Sequence, residues 1–129
     1  AEVMAGANVF VGLSSAGLVS RDMVSSMAEP RFVLALANPT PEISPREAMA
    51  AGASVALDGR TVNNALVFPG LIRGALDSGA KRITEGMKLA AAKAIADLTP
   101  EGLILPSILN RGVHKAVAEA VHKAWYDRS

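Results

Sequence analysis

Three short runs of strand-forming apolar residues, each separated from the next by a segment long enough for one helix, limit this chain to few folds. The runs are Asn8-Val9-Phe10-Val11-Gly12-Leu13, Phe32-Val33-Leu34-Ala35-Leu36-Ala37 and Ala53-Ser54-Val55-Ala56-Leu57. Near-continuous apolar runs mark strands buried on both faces of a parallel sheet. Parallel neighbours need a crossover of roughly a dozen residues or more, and both intervals can supply one. Ser20 is placed to cap a helix over residues 21–28, with Asp22 in its first turn and Pro30 to close it. Ser44 caps a second helix, with Pro45 where no N–H donor is needed and Glu47 completing a capping box. Gly52 can take the left-handed stop. Such crossovers are nearly always right-handed. The first 57 residues therefore predict part of a doubly wound α/β sheet.

The rest of the chain reads as helices. Asp58 to Asn64 is a turn, Pro69 opens a helix to about Asp77, and Gly79 ends it. Thr84 caps a longer helix to about Leu98, with Met87, Ala91 and Ile95 on one face. Thr99-Pro100-Glu101-Gly102 breaks it, and a last helix covers about Val113 to Tyr126. Half the residues are hydrophobic but only 4% are aromatic. That mix suits Ala-rich helices on buried strands and argues against disorder.

Charge excludes some functions. Thirteen basic and 12 acidic side chains give a net charge of +1, with no basic run. A nucleic-acid or membrane-surface role has no support, and no apolar run approaches a membrane span. The absence of cysteine removes disulfides and thiol chemistry and agrees with a cytoplasmic setting. The chain lacks an initiator Met and runs almost at once into a strand, as a fragment or processed chain would.

Ligands of open α/β sheets bind beyond the carboxyl ends of the strands. Three segments fall there: the small-residue loop from Gly12 to Gly17 with Ser14, Asn38-Pro39-Thr40, and the turn reaching Asn63-Asn64. An Asn amide offers two donors and one acceptor oxygen and binds a carboxylate, hydroxyl or carboxamide without bringing charge. From local pattern alone, Asn38, Asn63 and Asn64 can equally serve loop backbone, and the Ser14 loop lacks GxGxxG spacing. His114 and His122 are eight apart with no carboxylate partner, so solvated helix histidines are expected rather than a metal site. Ser25 and Ser107 have no GxSxG context. Asp58 and Asp77 stand alone, without a paired carboxylate for acid–base work.

The segment Ala37-Asn38-Pro39-Thr40-Pro41-Glu42-Ile43, followed by Val62-Asn63-Asn64-Ala65-Leu66-Val67-Phe68-Pro69-Gly70-Leu71-Ile72-Arg73-Gly74-Ala75-Leu76-Asp77, resembles bacterial-type malic enzymes. The likeness continues through Ile83-Thr84-Glu85-Gly86-Met87-Lys88-Leu89 and includes Asn8 to Ser14. The resemblance implies oxidative decarboxylation of L-malate to pyruvate and CO2 with NAD or NADP and Mg²⁺ or Mn²⁺. It implies that Asn38, Asn63 and Asn64 contact substrate, and that Ser14, Asn38 and Asn63 face the cofactor. Residues 1–78 would be the second half of a Rossmann-like dinucleotide-binding domain, and 79–129 a C-terminal helical segment packing on it. The family's general-acid Tyr, Lys base and carboxylate metal ligands have no match here, and Tyr126 does not inherit the Tyr role. In one departure, Gly59-Arg60 joins Val62 through Thr61 alone, where the family has a longer loop.

Three outcomes follow from the resemblance. The chain can be part of a malic enzyme, inactive alone and completed by a missing N-terminal part or another copy in a homo-oligomer. It can belong to a malolactic enzyme, which retains the cofactor and releases lactate. It can also be a non-catalytic binding or assembly module derived from either.

Overall fold

The computed structural model describes residues 2–62 and 64–127. The chain forms two compact units, Ala1–Asn63 and Asn64–Ser129. The sequence reading puts a boundary after residue 78, whereas the helix opened by Pro69 belongs to the second unit.

The first unit is a parallel sheet of β1 (Val9–Gly12), β2 (Phe32–Ala35) and β3 (Val55–Asp58), in that order, crossed by α1 (Arg21–Ser25) and α2 (Pro45–Ala50). Val9 pairs with Phe32 and Phe32 with Val55, so the strands start level. Val33 and Ala35 from the sheet pack with Val24 of α1 and Ala48 of α2 in one apolar core. Ser20 and Ser44 both cap as the sequence predicts, though Glu47 meets the Ser44 hydroxyl at 2.6 Å where a capping box would have it take the Ser44 N–H. Ser20 Oγ accepts from Met23 N, and Ser44 Oγ accepts from Glu47 N. Gly52 takes the left-handed stop at φ 92°.

Two expectations differ. α1 ends at Ser25 rather than near residue 28. The Ser26 hydroxyl donates to the Met23 carbonyl, and the Arg31 guanidinium takes the Ser25 and Met27 carbonyls, so side chains replace the next helical bonds. β1 is also less buried than its composition predicts, with Val9 and Val11 55% and 54% exposed. Val9 and Val11 alternate with Phe10 and Gly12, and it is Phe10 that packs toward the α1/α2 core.

The second unit contains α3 (Phe68–Asp77), α4 (Glu85–Asp97) and α5 (Arg111–Tyr126). Its core joins Leu66, Ala75, Met87, Ala91, Ile95, Val113, Val117 and Val121. α3 lies close on α5 because Gly70 and Gly74 are one turn apart. A Cβ at Gly70 would stand 2.6 Å from the His114 carbonyl oxygen, and one at Gly74 would meet the Ala118 carbonyl. Thr84 caps α4, with the Met87 sulfur accepting from Thr84 N where a Glu is usual.

A candidate substrate and cofactor edge

At the carboxyl end of β2, the pairing with β1 continues past the strand, as Leu36 N donates to Gly12 O at 2.9 Å. Ala37 is still buried, and Asn38 is the first exposed residue beyond it. The Asn38 side chain makes no hydrogen bond among the described residues, so its amide is not used up by its own loop. The Asn38–Pro39 peptide is cis. Ser14, beyond β1, is exposed as well.

The loop bearing Ser14 and the strand end bearing Asn38 are joined through Glu42. This side chain is fully buried. Its Oε1 accepts from Ser14 N at 2.8 Å, and its Oε2 accepts from Ala37 N at 3.1 Å. Two backbone bonds, Gly17 N to Pro41 O and Val19 N to Glu42 O, close the same seam. Burial, the largest single influence, pushes the Glu42 carboxyl up. Hydrogen bonds from the backbone of Ser14, Glu42 and Ala37 and from the Ser14 hydroxyl outweigh it and hold the group below its ordinary value. Sequence reasoning missed Glu42. The available signal was its setting, an acid between Pro41 and Ile43 just after a buried strand.

Beyond β3, Asp58 Oδ1 accepts from Arg60 N, Thr61 N and the Thr61 hydroxyl. Its carbonyl also accepts from Val62 N at 2.9 Å. The short link from Gly59 to Val62 is thus a complete hydrogen-bonded turn. Burial raises the Asp58 carboxyl, but these bonds and the Arg60 charge bring it below its ordinary value.

Asn63 lies outside the described residues. Asn64 opens the second unit, exposed, with its carbonyl accepting from Val67 N at 3.1 Å and Phe68 N at 2.7 Å at the start of α3. In the same unit, His114 and His122 line a groove of about 640 Å³ between α3 and α5. His114 differs from the expected solvated histidine, because its Nδ1 is buried without a hydrogen-bond partner among the described residues. The charges of this groove are already paired, Arg73 with Asp77 at 2.8 Å and Lys115 with Glu119 at 3.8 Å. Tyr126 donates its hydroxyl to the Ser78 carbonyl at 3.2 Å, a tie between helix ends.

The edge of the first unit can receive a neutral or anionic polar group. It presents an uncommitted amide on Asn38 and a small-residue loop at Ser14, and a carboxamide or carboxylate can meet both. A metal does not fit in the same way. Among the described residues, no three His, Cys, Asp or Glu side chains gather to hold one.

A family model described as the malic enzyme NAD-binding domain matches residues 2–126. The chain is 47% identical over 133 aligned residues to the bifunctional malic/malolactic enzyme of Bacillus subtilis, covering 95% of this chain and 32% of that protein. It is 44% identical to the NAD-dependent malic enzyme of Geobacillus stearothermophilus, covering 97% and 28%. The crystal structure of malic enzyme from Entamoeba histolytica superposes with a TM-score of 0.90 at 35% identity, covering 98% of this chain and 29% of that one. The chain spans about a third of the length of these relatives. The Bacillus alignment also runs over more positions than this chain supplies, so the chain is internally the shorter of the two. The sheet, its helices and these matches make the chain a member of the malic enzyme family, as a segment of that family's NAD-binding domain.

Proposed function

We propose that this segment serves a malate oxidoreductase that converts L-malate to pyruvate and CO2 with NAD or NADP. Its part is to position substrate and nicotinamide, while the reacting acid and base come from elsewhere in the enzyme. The observation that carries this reading is the exposed Asn38 amide, without a hydrogen bond among the described residues, at the carboxyl end of a family-typical parallel sheet. When bound, the nicotinamide accepts the hydride from malate C2. Asn38 donates to the malate carboxylate or hydroxyl or to the nicotinamide carboxamide, fixing their mutual orientation, which is catalysis by positioning. The Ser14 loop lies against the cofactor. Asn63 and Asn64 carry the same expectation from their motif alone. Mg²⁺ or Mn²⁺ would be held by residues outside this segment.

The segment is inactive alone, and the bare Val9–Val11 face of β1 is covered in the complete enzyme by further chain or by another copy in a homo-oligomer. A cytoplasmic location fits the cysteine-free composition. The test is L-malate supplied to the full-length enzyme with NAD or NADP. Pyruvate, CO2 and one equivalent of reduced cofactor support the proposal. Lactate without net reduced cofactor supports the malolactic reading, an activity that the name of the bifunctional Bacillus relative includes beside the malic one. No malate consumption leaves a binding or assembly module.

A further inference from the structure

Glu42 does more than fill space beneath the site. We infer that it is a positioning residue, a buried carboxylate that locks the Ser14 loop to the Ala37–Asn38 strand end and so sets where both meet the nicotinamide and malate. This rests on the malate oxidoreductase reading above. A buried carboxylate survives only when its oxygens are hydrogen-bonded. Here each oxygen takes a backbone N–H from a different loop, Ser14 at 28 residues' separation and Ala37 at five. A single side chain thereby cross-links the two segments, alongside the backbone bonds from Leu36 N to Gly12 O, Gly17 N to Pro41 O and Val19 N to Glu42 O. Ala37 directly precedes Asn38, so any shift of its amide is passed straight to the substrate-facing residue. Displacements of about 1 Å at such a site can cost roughly a hundredfold in rate.

Gly12 supports the assignment from the opposite side. A Cβ there would stand 2.5 Å from both Glu42 Cδ and Oε1, so only glycine leaves room for the carboxylate in this position. Gln at position 42 keeps the shape and one acceptor oxygen. Its NH2 must then face one of the two N–H groups, which loses its partner.

The experiment uses the full-length enzyme with Glu42→Gln, Glu42→Asp and Gly12→Ala, studied well below each variant's unfolding temperature. Malate kinetics, NADH affinity by fluorescence titration and amide exchange are measured on the folded fraction. Glu42→Gln is expected to raise the malate KM and weaken NADH binding about tenfold or more. Exchange should quicken together in residues 12–19 and 36–43 and stay unchanged in α5. Glu42→Asp should recover part of the loss. The Gly12→Ala, Glu42→Gln pair should lose less than the sum of the single variants, as residues acting on one contact do. If Glu42→Gln does not fold, Glu42→Asp and Gly12→Ala are read in the same way. Wild-type NADH affinity and malate kinetics in a variant with a lowered unfolding temperature would overturn the inference and leave Glu42 a plain strut. If the wild-type enzyme does not oxidise malate, the functional reading fails by itself, and NADH affinity with amide exchange still decides the role of Glu42.

Discussion

At the scale of single residues, the sequence displays Asn38 and conceals Glu42. An Asn at the end of an apolar run, followed by Pro39, is visible as a strand-end amide because the run itself locates the end of the sheet. Glu42 is marked only by its setting, an acid between Pro41 and Ile43 just after a buried strand. Its burial follows from two segments 28 residues apart meeting over it, and no local pattern encodes that meeting. The same bonds give a pH prediction. The Glu42 carboxyl is held below its ordinary value in the folded protein, so its contribution to stability is complete above the unfolded carboxyl range, near pH 4.3. It is lost as pH falls through the folded value. Glu47, whose carboxyl is also held below its ordinary value by hydrogen bonds from Ser44, is present in both proteins and cancels in the comparison. Urea unfolding of the full-length enzyme should show wild type more stable than Glu42→Gln at pH 7. That gap should narrow as the pH drops below about 4.3, and a gap that widens in acid contradicts this account.

At the scale of elements, helix starts were the most legible feature, because a cap is a local contract between a side chain and the N–H groups just after it. Ser20, Ser44 and Thr84 all serve as read. Asn110, which accepts from Gly112 N to begin α5, is harder to read, since the apolar periodicity starts only at Val113. Helix ends were less legible. Arg31 gathers the carbonyls of Ser25, Met27 and Gly52, a tertiary arrangement beyond the reach of local signals. The glycine pair of α3 gives the element-scale prediction. Gly74→Ala puts a methyl against the Ala118 carbonyl and Val121. The cost should be about 1–3 kcal/mol for overpacking, less the roughly 1 kcal/mol that Ala gains over Gly in helix propensity. Thermal unfolding of the full-length enzyme should register a lower midpoint with malate KM unchanged. An unchanged or higher midpoint would mean α3 and α5 have room to separate.

At the scale of the whole molecule, alternation of strand and crossover was enough to read a parallel sheet, but not where compact units divide. α3 follows β3 closely in sequence, yet its Gly70–Gly74 face belongs to α5, and that partner is chosen by shape rather than by spacing. The apolar character of β1 was legible, but which of its faces this chain covers was not, since a strand destined for cover on both faces looks the same whichever part supplies it. The isolated 129-residue chain should therefore show no malate turnover and bind NAD only at millimolar concentration or weaker, because it has no glycine-rich phosphate loop at a helix start. Calorimetry finding micromolar affinity would refute this.

The most direct test of the positioning role is Asn38→Ala in the full-length enzyme, with malate kinetics and ADP-ribose affinity measured side by side. Loss of an amide that grips malate and the nicotinamide should lower kcat/KM for malate roughly 10- to 1000-fold, about 1.4–4 kcal/mol. ADP-ribose, which lacks the nicotinamide, should bind as it does to wild type. Unchanged malate kinetics, or an equal loss of ADP-ribose binding, would contradict the account.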